Sequence, residues 1–222
     1  MSATDPEAIA AFAPPPGDEA ARRRQAAEPF AAAPAGLPRA VDALVAAVLL
    51  VLLAPLLVAA MIAIRLESRG PAIYRQPRIG RGERRFEMLK LRTMGLGSDP
   101  VGAGTAVGAA DPRVTRVGRI LRRTSLDELP NLVNVLRGDM ALVGPRPTIP
   151  AHLAYFHPHQ HRRHAVRPGI TGWAQVNGWR GSTDLSKRIE YDIYYIENWS
   201  LKFDLQIIAL TVIKGFVNKN AY

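Results

Sequence analysis

At 222 residues without a cysteine, the chain is long enough for one domain with a substantial core, and disulfides, thiolate metal sites and cysteine nucleophiles are excluded. A formal net charge of +10 points to phosphate-rich partners, whether nucleotide, nucleic acid or anionic lipid headgroup, without choosing among them. A chain without disulfides also fits a reducing, cytoplasm-facing setting.

Residues 1–38 hold 13 alanines and 7 prolines with no lasting apolar period, and read as a disordered tail. A cleaved signal peptide is not expected, because the apolar run starts only after position 40. That run, Ala43 to Ile64, has 22 residues and no charge; as a straight helix it measures about 33 Å, against a hydrocarbon core of about 30 Å. Both flanks are basic, with Arg22 to Arg24 and Arg39 before it and Arg65, Arg69, Arg75 and Arg78 after it. A spanning helix would set one basic flank outside, against the positive-inside tendency. Pro55, near the centre, deletes a backbone hydrogen bond and favours a kink. The expectation is a re-entrant helix over 39–66 that enters and leaves one leaflet, with a single spanning pass as the alternative.

Beyond it, Ser68 to Pro71 is a turn, and Ala72 to Ile79 and Phe86 to Leu91 are short strand candidates. Gly95 to Asp111 has five glycines in 17 residues and fits neither a dinucleotide fingerprint nor a P-loop; it reads as a linker or a lid. Arg113, Arg116, Arg119, Arg122 and Arg123 then form a basic face leading to Asp127 and Glu128. Leu126, Leu129, Leu132, Val133 and Leu136 recur at helical spacing, which places both acids at a helix N-terminus. There they have two readings. Ser125 with Glu128 is a capping-box pattern and Asp127 an N-cap candidate; alternatively, paired carboxylates beside unpaired backbone N–H groups gather phosphate or a metal-phosphate complex.

Five histidines, at 152, 157, 159, 161 and 164, have no recognised zinc-ligand spacing and read as a titratable basic patch. In RPGITGWAQVNG, turn residues bring Arg167, Trp173 and Gln175 together, as a structural loop or as a wall of a ligand site. Tyr191, Tyr194, Tyr195 and Trp199 suit either a core or a membrane interface.

The segments RLESRGPAIYRQPRIG, LKLRTM, DPRVTRVGRILRRTSLDELPNLVNVLRGDMALVGPRP, RPGITGWAQVNG and YDIYYIENWSLKFDLQIIALTV together resemble the bacterial sugar transferases, the monotopic polyprenyl-phosphate phosphoglycosyl transferases, from about Arg39 to the C-terminus. The resemblance implies transfer of a sugar 1-phosphate from a UDP-sugar to undecaprenyl phosphate, with release of UMP, as the first membrane step of exopolysaccharide or glycan assembly. Glucose 1-phosphate is suggested by the C-terminal KGFVNKNAY and by VNGWRGSTD. It also implies Mg2+ and an Asp-Glu dyad, here Asp127 and Glu128, with Glu128 on the metal. Lys90, Arg92, Arg122, Arg146, Pro145 and Pro147 match positions that bind substrate.

The expected fold is α+β and mostly helical, with a small β element, interfacial amphipathic helices and a catalytic domain over 67–222. It would sit on the cytoplasmic face of a bacterial inner membrane, against its lipids; a homodimer is compatible with this. Where many members have a Ser-Pro pair at the helix break this chain has Ala54-Pro55, so no hydroxyl is at hand for the freed carbonyl. Asp127 reads as the nucleophile of a covalent aspartyl-phosphosugar intermediate, or as a metal ligand in direct in-line transfer. A catalytically silent membrane-surface protein on the same scaffold is the rival, and no recognition motif supports a nucleic-acid partner.

Overall fold

A computed structural model of the chain describes residues 36–98, 111–179 and 183–215. The expected tail up to residue 35, most of the glycine-rich segment and the C-terminal KGFVNKNAY beyond Gly215 lie outside these residues. The apolar run forms helix α1 (Arg39–Glu67), 29 residues that continue through Pro55, or about 43 Å of helix. By length and composition α1 could cross a membrane.

Both ends of α1 are tied to the folded body. Near its start, Asp42 is fully buried, accepting from Leu142 N at 3.2 Å and pairing with Arg167 at 2.9 Å. Ala46, Leu49 and Leu50 join a core of Met88, Leu132, Val135 and Met140. Near its end, Leu57, Ala60, Met61 and Ile64 join a second core of Ala72, Leu91 and Leu121. The last residue, Glu67, accepts from the backbone N–H groups of Arg116 and Val117 at 2.7 and 2.9 Å, where a carboxylate meets the positive end of the next helix. Between these attachments Val51, Leu52 and Leu56 are exposed.

Strands β1 (Ile73–Ile79) and β2 (Arg85–Leu91) form an antiparallel hairpin with Tyr74 opposite Lys90 and Arg78 opposite Phe86, matching the two strand candidates. Helix α2 (Arg116–Arg123), N-capped by Thr115, lies against the exit of β2. Gly118 makes that possible, since a Cβ there would stand 2.1 Å from Thr93 O. A single 3-10 turn over Leu126–Glu128 and the short helix α3 (Asn131–Arg137) follow.

Here the expected helical face is corrected. The acids occupy their own turn before Pro130, so α3 starts in a different phase and buries Asn131, Leu132, Asn134 and Val135, while Leu136 is exposed. Leu126 and Leu129 instead anchor the turn from either side, in the second and first cores respectively.

Strand β3 (Ala141–Val143) pairs in parallel with β4 (Gly169–Thr171), a sheet absent from the sequence reading. Two 3-10 segments, Pro150–Tyr155 and Pro158–His164, lie between them. Helices α4 (Trp173–Val176), α5 (Leu185–Glu197) and α6 (Leu201–Gly215) close a third core of Val143, Val166, Val176, Tyr195, Ile196 and Ile207. Of the aromatic cluster, Tyr195 is core, its hydroxyl donating to buried Asp204 at 2.7 Å, whereas Tyr194 is exposed. Among the described residues the architecture is α+β, mostly helical with two small sheets.

Asn134 is a poor helix former, and its environment accounts for it. Fully buried, it accepts from Leu89 N at 3.0 Å and donates to Glu87 O at 2.7 Å, closing the open edge of β2. Asn134→Leu strands both backbone groups, at about 1–3 kcal/mol each, and is expected to destabilise the detergent-solubilised protein by on the order of 2–4 kcal/mol. Leu136→Ala, on the exposed side of the same helix, is expected to cost less than about 1 kcal/mol. Denaturant titration of the two variants measures the difference.

Candidate active site

Two elements converge on Glu128, which the 3-10 turn presents. Lys90 Nζ, from the end of β2, donates to Oε1 at 2.9 Å. Arg146, from the loop after β3, donates through Nη2 to the same oxygen at 2.6 Å and through Nη1 to Oε2 at 3.2 Å. Burial alone would push the Glu128 carboxyl up, but Arg146 and Lys90 outweigh it and hold the group well below the usual range, so it stays ionised. Burial pulls Lys90 down and Glu128 counters it.

Asp127 is placed differently. It is half-buried and accepts no hydrogen bond from the described residues. Burial, and then the Glu128 charge beside it, push its carboxyl up to about 6, with Lys90, Arg122 and Arg146 opposing. Two adjacent acids therefore differ in kind: one is fully ion-paired and the other stands unengaged in the same pocket. The capping reading fails as well. Ser125 sits at φ 56° with no side-chain cap bond, and Pro130, at the N-cap of α3, makes none.

The proline-framed loop is held rigidly. Gly144 N donates to Thr171 O and Gly169 N to Pro145 O, both at 2.9 Å. A Cβ on Gly144 would lie 2.5 Å from Arg167 O, so the chains approach closely only because glycine stands there. Pro147 O accepts from Arg78 Nη1 at 3.3 Å. Arg163 donates to Arg146 O at 2.8 Å, to Thr148 Oγ1 at 2.9 Å and to Asp192 at 2.6 Å. The side chains of Arg163 and Asp192 are each only 2% exposed, so truncating either leaves a buried charge unpaired, at about 3–5 kcal/mol.

The structure brings together Lys90, Asp127, Glu128 and Arg146, with Pro145 and Pro147 framing the last. Arg122 is close enough to act on Asp127 and is steadied by Thr93 Oγ1 at 2.8 Å. Arg92 goes elsewhere: buried, it donates to Ser68 O at 2.8 Å, Ser68 Oγ at 3.0 Å and Arg69 O, fixing the chain where it leaves α1. Nor do Arg167, Trp173 and Gln175 wall the site. Arg167 reaches Asp42 and Leu37 O, Trp173 packs edge-on to Phe203, and Gln175 donates to Ile170 O.

The sequence reading missed Arg78, Arg163 and Asp192 as supports of the site. Asp192 carries a usable signal, since it falls on the buried face of α5 with Ile189 and Ile196, and a charge on an apolar face implies a partner. Arg78 is buried beside Arg146, and burial first, then that neighbour, lower its guanidinium to about 9. Two carboxylates thus face Lys90, Arg146, Arg78 and Arg122, a cationic surplus suited to an anionic ligand.

Whether the acids suit a divalent cation is decided by their oxygens. Oε2 of Glu128 has one long contact and both Asp127 oxygens are unengaged, so hard oxygen donors from adjacent residues remain for Mg2+.

Comparison with known proteins gives consistent results. Residues 34–218 match the profile of the bacterial sugar transferase family. A UDP-glucose:undecaprenyl-phosphate glucose-1-phosphate transferase of Escherichia coli (strain K12) is 48% identical over 199 residues, covering 84% of this chain and 41% of the relative. One of the same name from Caulobacter vibrioides is 51% identical over 191 residues, 83% of this chain and 71% of the relative. A UDP-N-acetylgalactosamine-undecaprenyl-phosphate N-acetylgalactosaminephosphotransferase of Aeromonas hydrophila is 43% identical over 181 residues, 79% and 43%. The chain spans less than half the length of the first and last of these.

The raised Asp127 carboxyl has a consequence for stability. An acid with a folded pKa near 6, above its ordinary 3.8, binds more protons folded than unfolded, so it costs stability as pH rises through that interval. Asp127→Asn is therefore expected to raise the melting temperature above about pH 6.5, with the gain fading to nothing below about pH 3, where both states are protonated. Thermal unfolding of the two proteins across pH checks it.

Proposed function

The chain belongs to the bacterial sugar transferase family, and from that membership we propose that it transfers a sugar 1-phosphate from a UDP-sugar to undecaprenyl phosphate, releasing UMP, to initiate exopolysaccharide or glycan assembly. The observation that carries the mechanism is the contrast within the acid pair: an ion-paired Glu128 beside a half-buried Asp127 that accepts no hydrogen bond from the described residues. A carboxylate oxygen of Asp127 attacks the sugar-bearing phosphorus of the donor. The bond from that phosphorus to the bridging oxygen breaks, and the electron pair leaves with UMP. A phosphate oxygen of the lipid then attacks the same phosphorus, and the Asp127 carboxylate is the leaving group.

Donor, acceptor and leaving group are all anionic, so the barrier is dominated by charge. Arg146, Lys90, Arg122 and Arg78 surround the place where that charge develops, and Glu128 keeps Lys90 and Arg146 directed there. Glu128 and the donor phosphates would hold Mg2+, which when bound supplies further positive charge to the diphosphate. Glucose 1-phosphate is the favoured cargo, supported by the names of the two most identical relatives described, although the Aeromonas relative is named for another sugar. A silent binding protein on this scaffold has no use for an unengaged carboxylate in a cationic pocket.

The membrane arrangement proposed is monotopic, on the cytoplasmic face of the bacterial inner membrane. Support comes from the attachment of both ends of α1 to one folded body, with the apolar stretch around Pro55 exposed between them. A helix crossing a bilayer would part its ends by about 30 Å of hydrocarbon; here Asp42 and Glu67 both hold residues of the same domain. The exposed middle is then the part that dips into lipid and leaves again.

The chemistry is tested by exchange. With donor and labelled UMP but no lipid, the wild-type protein is expected to move label into UDP-sugar, and its intact mass after donor alone should rise by one phosphosugar. Asp127→Asn should abolish exchange while donor binding survives, whereas Glu128→Gln should weaken both. Exchange that persists in Asp127→Asn would make direct transfer the better account.

Topology is tested separately. The chain has no cysteine, so single cysteines at Ala40 and Arg69 report cleanly. Both should react with an impermeant maleimide only from the cytoplasmic side; periplasmic labelling of Ala40→Cys would mean that α1 spans.

A further inference from the structure

The turn between β1 and β2 and the segment Pro158–His164 are distant in sequence yet meet at a cluster that the transferase chemistry does not use. Glu83, His161 and His164 each offer one ligand atom, and these atoms all lie within 4.8 Å of one another. Glu83 Oε1 lies 2.5 Å from His161 Nδ1 and 3.4 Å from His164 Nδ1. The histidine side chains are only 9% and 6% exposed, and that of Glu83 is 24% exposed. Phe156, itself buried, packs against both rings at centroid distances of 5.8 and 5.7 Å and closes the apolar side.

The details favour a cation. His164 Nε2 is 2.9 Å from Thr148 Oγ1, which also accepts from Arg163 at 2.9 Å. A ring nitrogen steadied in this way is the usual support of a metal-bound histidine. It leaves Nδ1 turned toward Glu83, buried and without hydrogen-bond geometry. When Nε2 carries the ring proton, a nitrogen lone pair faces a carboxylate oxygen, which is unfavourable in a buried place unless a cation stands between them.

Their separation of 3.4 Å is close to the edge of a tetrahedral zinc site, about 3.3 Å for ligand bonds of about 2.0–2.1 Å. Glu83 itself has φ 59°, a left-handed conformation that is unfavourable for a non-glycine residue.

We propose that Glu83, His161 and His164 form a Zn2+ site, with water as fourth ligand, that staples the β1–β2 turn to the segment carrying Arg163 and hence to the loop of Arg146. Occupation needs the Glu83 carboxylate to move from His161 by about 1 Å, which its partly exposed position allows. Two imidazoles and one carboxylate suit zinc and not magnesium, which prefers oxygen ligands alone. The site is thus chemically distinct from the acid pair.

Tag-free protein in detergent, stripped with a chelator, should bind one Zn2+ per chain in calorimetric titration, unaffected by excess Mg2+, with a rise in melting temperature. Glu83→Gln and His164→Gln should weaken binding by about tenfold or more, and the double variant His157→Gln, His159→Gln, which alters the stacked pair outside the cluster, should not. Because the readout is metal binding, it stands or falls independently of the transferase assay. Co2+ loaded into the wild-type protein needs no variant and should give the intense visible absorption of tetrahedral coordination. No stoichiometric binding, a pale octahedral cobalt spectrum, or full affinity in Glu83→Gln and His164→Gln would overturn the proposal and leave the three groups as a hydrogen-bonded triad.

Discussion

Glu128 accepts from Lys90 and from Arg146, and through those bonds a hairpin, a 3-10 turn and the loop after β3 are held at one point. The acid turn is suspended between Leu126 in one core and Leu129 in another, Lys90 projects from a two-stranded sheet, and Arg146 lies on a loop that the Gly144–Gly169 approach presses against β4. An ionised carboxylate shared by two cations is stable only where other groups take up the remaining charge. Glu128 is thus held ionised by its two partners, whereas Asp127, one residue away, accepts no such bond from the described residues. Its raised carboxyl follows from burial first and then from the Glu128 charge beside it.

The same economy runs through α1. Its apolar surface cannot all be buried by a domain of this size, and it is not: only one stripe near each end enters a core, while Val51, Leu52 and Leu56 stay exposed. The polar residues at its two ends do the fastening, Asp42 to Arg167 and Leu142 N, and Glu67 to the start of α2. Because α2 also leads to Arg122 and the acid turn, the geometry of the pocket is linked to the seating of the apolar helix. A lipid-borne acceptor and a water-borne donor would meet where these two constraints join, which is where the proposed chemistry needs them.

Behind the pocket, the Arg163–Asp192 pair ties the Arg146 loop to α5 and shares Thr148 with His164. Polar groups this deeply buried are costly when partly satisfied and rigid when fully satisfied. They help a short loop framed by two prolines present a guanidinium in a fixed direction, and the segment Pro158–His164 bears on the site through Arg163, which donates to Arg146 O.

Local order along the chain was enough to mark an apolar helix with basic flanks, two strands before the acids, and the acid pair itself. Each rests on periodicity, composition or a contiguous motif, which one stretch of residues expresses by itself; Lys90 and Arg146 were expected beside the acids only through the family resemblance of their segments. Tertiary structure decided the rest. It alone sent Arg92 to the end of α1 and Arg167 to its start, because a guanidinium's partner depends on which carbonyl or carboxylate lies within about 3 Å. The phase of α3 was set by Pro130 and the separate turn before it, which a count of leucines does not register. The β3–β4 pairing, the Arg163–Asp192 bond and the gathering of Glu83 with two of five histidines all join residues far apart in the chain, and such contacts are fixed by packing and not by local pattern.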